Sequence, residues 1–214
     1  RPPSGRCFLL PAYYWRRPAV FHHPGDKRMQ NASRRMNLLI SDLLKYSKVI
    51  SQTEHEFQPV PLNDIVQQVL LDLEFQIKKC DGIVNVGHLP EIEANPFQIQ
   101  QVFVNLIGNS LKFHKKGAPP VIEIKSESSH SRNGDSICNI FVKDNGIGFD
   151  EKYIKKVFKP MERLVGRSEY EGTGMGLSIC RRIIERHHGT ITAESCQGKG
   201  TTFIFSLPIK QKEA

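Results

Sequence analysis

Apolar residues recur with a helical period between residues 31 and 50. Their spacing of i, i+3, i+4, i+7 and i+8 predicts an amphipathic helix, which needs a partner for its apolar stripe. The stripe consists of Met36, Leu39, Ile40, Leu43 and Leu44. A polar stretch, Ser51–Gln58, followed by Pro59 and Pro61, then predicts a linker into the next domain.

Three further helices and about six short strands are predicted after this linker. The helices run from an Asn63 cap to Leu73, from Asn95–Pro96 to Phe113, and from Gly174 to His188. Gly189 is expected to form a left-handed cap after the last helix. Apolar–polar alternation predicts the strands Ile83–Val86, Glu91–Glu93, Val121–Lys125, Ile137–Lys143, Thr190–Ser195 and Thr201–Leu207. This order predicts an α+β fold, with three main helices layered on one face of a mixed sheet.

The positive charge of the chain is concentrated at its beginning. Residues 1–35 hold eight Lys and Arg residues and one Asp, a net charge of +7, which leaves +1 of the total of +8 for the rest. The nearly neutral main domain argues against a nucleic-acid partner. Because no apolar run reaches the roughly 18 to 20 residues of a membrane span, no membrane contact by this fragment is expected either.

Three features receive no chemical role. Residues 1–28 lack a sustained period, and a tag, part of an upstream domain and a linker all remain open as interpretations. Five cysteines show neither a CxxC pair nor a disulfide-scaffold spacing, which favours a reducing cytoplasmic location. Whether a longer protein is membrane-associated stays open. His187–His188 is interpreted as favourable charge at a helix end rather than as a metal site.

Three short motifs carry the candidate chemistry. Asp144–Gly148, DNGIG, follows a predicted strand and on its own fits a simple turn as well as a site. Gly172–Leu177, GTGMGL, opens a predicted helix, where glycines let backbone N–H groups approach an anion. Its GxGxG spacing, without a parallel βαβ unit, excludes a dinucleotide fingerprint. Asn105, Asn109 and Lys112 share one helix face, which fits either a solvated stripe or, beside two glycine loops, magnesium and phosphate binding.

In this order the motifs resemble those of the histidine kinase family, a branch of the ATPases with the Bergerat fold. NLIGNSLKF resembles its N box, DNGIGF its first glycine box, VFKPMERL its F box and GTGMGL its second glycine box. The resemblance covers Asn31 to Pro208 and is strongest to phytochrome-type and PAS-linked sensor kinases. It implies a two-layer α/β sandwich that uses ATP and Mg²⁺ and transfers the γ-phosphate to a histidine.

The resemblance also implies a role for each motif. Asp144 would accept the adenine amine, a charge-assisted hydrogen bond that rejects guanine. Asn109 would be the metal ligand, and Asn105, Lys112 and Arg163 would be catalytic. Residues 159–171 would form a lid that Phe158 anchors, from which Arg163 or Arg167 reaches the γ-phosphate. The expected nucleotide contacts are Asn105, Asn109, Lys112, Phe113, Asp144, Gly146, Ile147, Gly148, Phe158, Gly172, Thr173, Gly174, Met175, Gly176 and Leu177.

The choice between kinase and ATPase depends on Asn105. It stands where the gyrase and chaperone branch carries a glutamate that activates water, and an amide cannot take a proton. This favours a kinase. Two alternatives are a Bergerat-fold ATPase and a nucleotide-dependent regulatory module that only dimerises.

The domain organisation implied by the resemblance is incomplete at its beginning. Residues 29–58 resemble the second helix of the dimerisation hairpin with its linker, residues 59–214 resemble the ATP-binding domain, and residues 1–28 stay unassigned. The helix implies a homodimer, and the family implies a response regulator receiver domain as partner. His22 and His23 lack a following acid, and Pro24 and Gly25 disfavour a helix. The acceptor histidine is therefore expected to be absent, and self-phosphorylation to be poor.

Overall fold

The computed structural model of the chain describes residues 24–51, 57–130, 136–164 and 172–211. The chain divides into two compact units, residues 1–34 and residues 35–214. In the first unit, the described residues are the beginning of helix α1, Pro24–Ser51. The predictions for His22, for His23, for Arg167 with the second half of the lid and for most of the linker lie outside the described residues.

The second unit contains the predicted elements and several short additions. Its helices after α1 are α2 (Leu62–Asp72), α3 (Glu74–Lys79), α4 (Pro96–Lys112), α5 (Ile154–Val157, after a 3-10 turn Glu151–Tyr153) and α6 (Gly176–Arg186). Its strands are β1 (Gln58–Pro61), β2 (Ile83–Val86), β3 (Glu91–Ala94), β4 (Val121–His130), β5 (Ser136–Asp144), β6 (Thr190–Cys196) and β7 (Gly200–Pro208).

Five of these strands form a mixed sheet in the order β2-β4-β5-β7-β6. The pair β2 and β4 is parallel, and the other neighbours are antiparallel. Alternate residues of β5 and β7 are buried, and they pack on the apolar sides of α4 and α6, where the Phe103 and Phe205 rings meet edge to face at 5.7 Å. The predicted α+β fold, with its main helices layered on a mixed sheet, is confirmed.

Two predictions at the entry to the main domain are wrong. Helix α2 begins at Leu62, and the Asn63 side chain accepts from the Leu89 backbone N–H at 2.9 Å and donates to the Gly87 carbonyl at 3.1 Å instead of capping the helix. The two prolines assigned to a linker lie in β1, which pairs with β3 in a two-stranded ladder. Proline is tolerated there because an edge strand does not need every N–H.

Helix α1 also differs from its prediction at its start. It begins at Pro24 and includes Gly25, the residues expected to disfavour a helix. Proline fits the first helical turn, where its missing N–H would have no partner within the helix. Within the second unit, the apolar side chains of Met36, Ile40, Leu43 and Leu44 are more than half exposed. The amphipathic helix is thus confirmed, and its apolar stripe lies on the surface. Among the described residues, no helix is both long and apolar enough to cross a membrane.

The end of α6 is held by a buried histidine. His187 has no exposed surface, its Nδ1 lies 2.8 Å from the Ile183 carbonyl, and its Nε2 accepts the Asn95 backbone N–H at 3.0 Å. A carbonyl can only accept, so the proton is on Nδ1. Burial lowers the pKa of His187 to about 4, so the interpretation of this side chain as helix-end charge is wrong.

Gly189 does not form the predicted left-handed cap. The left-handed residue is His188, with a φ of 57°. Gly189 is instead required by a close approach, because a Cβ there would overlap the carbonyl oxygen of Ser206 on β7. The glycine therefore lets the end of α6 pack directly on the sheet.

The loop after β5 packs against the turn between β6 and β7, backbone to backbone. The Gly198 N–H donates to the Ile147 carbonyl at 2.6 Å. A Cβ on Gly148 (φ +57°) would overlap the Cys196 carbonyl, and one on Gly200 (φ +105°) would overlap the carbonyl of Asp144. These approaches fix the point at which β5 ends.

We expect His187→Gln to flatten the acid dependence of stability. A histidine pKa near 6.5 in the unfolded chain and near 4 in the folded one means that the unfolded state binds more protons between these values. The free energy of unfolding then falls as the pH falls from about 6.5 to about 4, by up to about 3 kcal/mol. Urea denaturation at several pH values measures this slope in both proteins. The control His188→Gln alters an exposed neighbour and should keep the parent slope; an unchanged slope in His187→Gln would contradict the assignment.

We expect Gly200→Ala to destabilise the protein far more than Gly198→Ala. Both glycines have positive φ values, of +105° and +78°, but a Cβ on Gly198 meets open space. The control should therefore cost only the left-handed strain, about 1 to 2 kcal/mol, whereas Gly200→Ala adds a backbone collision and should cost more than about 3 kcal/mol. Urea denaturation compares the two free energies of unfolding. Equal losses of unfolding free energy in the two variants would show that the turn does not pack closely against the end of β5.

Candidate functional site

A buried carboxylate ends strand β5. The side chain of Asp144 is 8% exposed, and its Oδ1 accepts the N–H groups of Gly146 at 2.8 Å and Thr201 at 3.1 Å. Its Oδ2 accepts the Ser110 hydroxyl at 3.0 Å. Burial raises the pKa of Asp144, and the three hydrogen bonds oppose that rise. The result is a fixed hydrogen-bond acceptor at the wall of a cavity.

Gly146 brings the loop after Asp144 close to the end of α4. A Cβ at this position would lie 2.6 Å from the Phe113 carbonyl oxygen and 2.8 Å from Asp144 Oδ1. The next residue, Ile147, donates its N–H to the same carbonyl at 2.9 Å. Glycine is therefore needed so that the loop can reach α4 and hold the carboxylate.

The polar face predicted for α4 lines the same cavity. Asn105, Asn109 and Lys112 all contribute to its wall. Asn105 Nδ2 is buried without a hydrogen-bond partner among the described residues. The neighbouring Cys180 thiol, whose pKa burial raises to about 12, interacts with the Asn105 side chain. All three residues are half-buried, so this face of α4 is partly withdrawn from solvent.

The second glycine loop closes the other side of the cavity, ahead of α6. A Cβ on Gly172 would lie 2.8 Å from Lys112 Nζ, and one on Gly174 would lie 2.9 Å from the Glu162 carbonyl oxygen. Arg163 Nη1 donates to the Gly172 carbonyl at 2.5 Å. The lysine and the arginine therefore both reach this loop. Glycine is favoured at Gly172 and Gly174 because their φ values are positive, +144° and +79°.

A contact from α1 also reaches this loop. The Thr173 hydroxyl donates to Asp42 Oδ2 at 2.5 Å and accepts from the Met175 N–H at 3.3 Å. Asp42 lines the cavity. A carboxylate therefore stands beside the glycine loop in this structure.

The cavity has a volume of about 290 Å³ and brings most predicted site residues together. Those on its wall are Asn105, Asn109, Lys112, Phe113, Asp144, Ile147, Gly148, Arg163, Gly172, Thr173, Gly174, Gly176 and Leu177. Three predicted residues, Gly146, Phe158 and Met175, lie behind the wall. Phe158 and Met175 are buried, and the Phe158 ring packs edge to face on Phe203 at 6.5 Å.

Sequence reasoning missed several wall residues and one residue behind the wall. On the wall these are Asp42, Thr201 and Phe203. Four more wall residues lie within the predicted motifs but are not among the expected nucleotide contacts: Phe149, Val157, Glu162 and Leu164. Behind the wall is Ser110, which reaches Asp144 from α4. A signal was present for Thr201, which follows a glycine at the start of a predicted strand, but nothing local links it to Asp144.

The cavity's chemistry fits a nucleoside triphosphate. Its wall combines a buried acceptor, Asp144, with apolar side chains such as Ile147 and Phe203. Two cations on the wall, Lys112 and Arg163, reach the glycine loop. Among the described residues, no group of three His, Cys, Asp or Glu side chains could hold a metal alone. The Asn109 amide oxygen fits Mg²⁺ because this ion commonly takes few protein ligands and completes its shell with phosphate oxygens and water.

Comparison with known proteins agrees with this geometry. Residues 94–211 match the family described as histidine kinase-, DNA gyrase B-, and HSP90-like ATPase. Phytochrome-like protein Cph1 of Synechocystis is 39% identical over 174 residues, 81% of this chain and 22% of that protein. Sensor histidine kinase WalK of Bacillus subtilis is 32% identical over 190 residues, 86% of this chain and 30% of that protein. The chain thus spans less than a third of either relative.

Solved structures give the same result. The catalytic domain of histidine kinase ThkA is 30% identical with a TM-score of 0.60, covering 73% of this chain and 97% of that one. ThkA in complex with response regulator protein TrrA is 26% identical with a TM-score of 0.64, covering 86% of this chain and 50% of that one. The family inferred from the motifs is confirmed. The chain belongs to the histidine kinase-, DNA gyrase B- and HSP90-like ATPases, and carries the ATPase domain of a sensor histidine kinase.

Proposed function

We propose that this domain binds Mg-ATP and donates the γ-phosphate to a histidine on another polypeptide segment. The observation that carries the proposal is that one cavity is lined both by the buried Asp144 carboxylate and by Lys112, whose ammonium lies beside the glycine loop. An acceptor for the base and a cation for the phosphates suit an adenine nucleotide. The proposal concerns this domain, and the signal and partners of a longer protein are further proposals.

The adenine end depends on how Asp144 is held. Backbone donors already occupy Oδ1, so the exocyclic amine of adenine approaches Oδ2. Guanine would present a carbonyl oxygen to this carboxylate, and the two acceptors would repel each other. Ile147 and Phe203 on the wall supply apolar surface for the rings.

The phosphate end is assembled from α4, the glycine loop and the start of α6. Lys112 and Arg163 supply positive charge, and the N–H groups at the start of α6 face a region where a helix favours anions. Asn109 would hold the Mg²⁺. That ion, when bound, would neutralise phosphate charge and so lower the cost of transfer. The chain's own residues orient the phosphates and limit their exposure to water.

Transfer is favoured over hydrolysis because Asn105 stands where a general base would activate water. The amide of Asn105 cannot accept a proton. Among the described wall residues, two carboxylates have partners that hold them in place: Asp42 accepts from Thr173, and Glu162 pairs with Lys156 at 3.4 Å. A water molecule beside Asn105 would receive no activation from that side chain, and the γ-phosphate remains for a nucleophile supplied from outside.

The partners follow from α1 and from the relatives. The exposed stripe of α1 is suited to pairing with a second copy of the same helix, which supports a homodimer. ThkA has been solved with a response regulator protein, and we extend that partner class, a receiver domain, to this chain. The acceptor histidine would be supplied by a hairpin helix that the described residues do not contain.

We expect Asp144→Asn to weaken ATP binding by about tenfold to a hundredfold. The variant loses a hydrogen bond to a charged group, and its NH₂ group opposes the adenine amine, donor against donor. The amide oxygen would take the place of Oδ1, because two N–H groups point there. The NH₂ group would then face the Ser110 hydroxyl and the adenine amine. Isothermal titration with a non-hydrolysable ATP analogue and Mg²⁺ measures the dissociation constant.

The matched control for this measurement is Asp150→Asn. Asp150 lies outside the cavity wall, where it caps a 3-10 turn by accepting the Lys152 N–H at 3.0 Å, a role that asparagine can also fill. This variant should bind the analogue as the parent does. If Asp144→Asn retained parental affinity with an intact circular dichroism spectrum, adenine recognition by this carboxylate would be refuted.

We also expect the chain to phosphorylate a separately produced helical hairpin that bears an intact acceptor histidine. Labelled ATP should transfer its γ-phosphate to that hairpin in an acid-labile form, and a hairpin with its histidine replaced by glutamine should stay unlabelled. Phosphate release without label on the hairpin would favour the ATPase alternative. Nucleotide binding with neither reaction would favour a regulatory module.

A further inference from the structure

Ser110 is a buried hydroxyl that faces two acceptors. It lies on α4 and is 2% exposed. Its Oγ is 3.0 Å from Asp144 Oδ2 and 3.2 Å from the carbonyl oxygen of Leu106 one turn earlier. Since a hydroxyl has one hydrogen, it can donate fully to only one of them. A negatively charged carboxylate is the stronger acceptor, so the hydrogen points to Asp144 when Asp144 is ionised.

The hydrogen bonds of Asp144 leave one place for a ligand. A carboxylate oxygen accepts about two hydrogen bonds. On Oδ1 both are taken, by the N–H groups of Gly146 and Thr201. On Oδ2 one is taken, by Ser110. The remaining acceptor position of Oδ2 is therefore the one that a donor in the cavity can use.

We propose that Ser110 is a positioning residue for adenine recognition, whose hydroxyl holds Asp144 Oδ2 so that its one remaining acceptor position faces the cavity. This inference rests on the proposed function, in which Asp144 receives the adenine amine. Ser110 does not line the cavity and acts through Asp144 alone. Its two effects are to fix the rotation of the carboxylate and to support its negative charge.

The charge effect is visible in the groups that set the pKa of Asp144. Burial raises this pKa, and the bonds from Gly146, Thr201 and Ser110 lower it. No charged side chain on the surrounding elements is among the groups that set the pKa of Asp144. These side chains are Lys112 on α4, Lys143 on β5, Glu123 on β4, and Asp42, Glu162 and Arg163 along the cavity. Removing the Ser110 hydroxyl takes away one of the three hydrogen bonds that oppose the effect of burial. The pKa of Asp144 then rises further, so Asp144 takes up a proton at a higher pH.

The test compares the parent chain with Ser110→Ala in isothermal titration with a non-hydrolysable ATP analogue and Mg²⁺, from pH 5.5 to pH 8. At the alkaline end, the variant should bind about threefold to tenfold more weakly, the effect of one hydrogen bond to a charged group. As the pH falls, its affinity should be lost earlier than that of the parent, so that the ratio of dissociation constants grows. Titration of the nucleotide itself cancels in this ratio.

A structural role alone would give a different result. If Ser110 only filled space, which alanine does almost equally well, the ratio of dissociation constants would stay near one at every pH, and that result would overturn the proposal. The control Ser206→Ala removes a hydroxyl that donates to Asn139 Oδ1 at 2.7 Å on the sheet, and its ratio should stay near one throughout. Ser110→Cys keeps a donor at this position, although a bulkier and weaker one, so its curve should shift in the same direction by less. If the affinity of both Ser110 variants depended on pH in the same way as that of the parent, with the same values, the proposal would also be overturned.

The same experiment separates this inference from the proposed function. If the parent chain does not bind the analogue at all, the proposed function has failed and the inference with it. If the parent binds, Asp144→Asn binds weakly and Ser110→Ala follows the parent curve, only the role of Ser110 has failed. If Ser110→Ala does not fold, as judged by circular dichroism, Ser110→Cys supplies the comparison.

Discussion

A negative charge withdrawn from water constrains the whole site. Asp144 is nearly buried, and a buried carboxylate is costly unless hydrogen bonds replace its water. Three donors do so, and they come from the loop after β5, from β7 and from α4. The site therefore forms only when the central strands and α4 are packed correctly. Binding chemistry and fold depend on the same three hydrogen bonds.

The glycines of the site act at two distances from Asp144. Near the carboxylate, Gly146, Gly148 and Gly200 let backbone segments approach closely enough to deliver N–H groups to Asp144. Farther away, Gly172 leaves room for Lys112 Nζ, which brings a cation to the loop before α6. Some glycines of the motifs are thus needed for packing between backbone segments, and others leave space for a ligand. The motif pattern alone does not distinguish these two uses.

Much of the fold could be predicted because periodicity reports which side of an element is buried. This explains the agreement for α4, whose Asn95 cap accepts the Gln98 N–H as expected, and for the strands of the mixed sheet. The errors occurred where distant contacts decide local structure. Asn63 bonds to the β2–β3 connection instead of capping. His187 is neutral because it is buried, and its Nε2 accepts the N–H of Asn95, 92 residues away. Such pairings have no local signal.

The candidate site could be predicted to the same extent as the fold: local patterns were informative, and contacts between distant residues were not. Many residues of the four motifs could be placed at the cavity from the resemblance. The contacts of Thr201 and Ser110 with Asp144, across 57 and 34 residues, could not be predicted, even though Ser110 lies within the N box. Recognition of adenine by this carboxylate can be seen in a crystal structure of the chain with Mg²⁺ and a non-hydrolysable ATP analogue. We expect the adenine amine within hydrogen-bond distance of Asp144 Oδ2, with Gly146 and Thr201 still on Oδ1. A nucleotide whose base lies away from Asp144 would contradict this expectation.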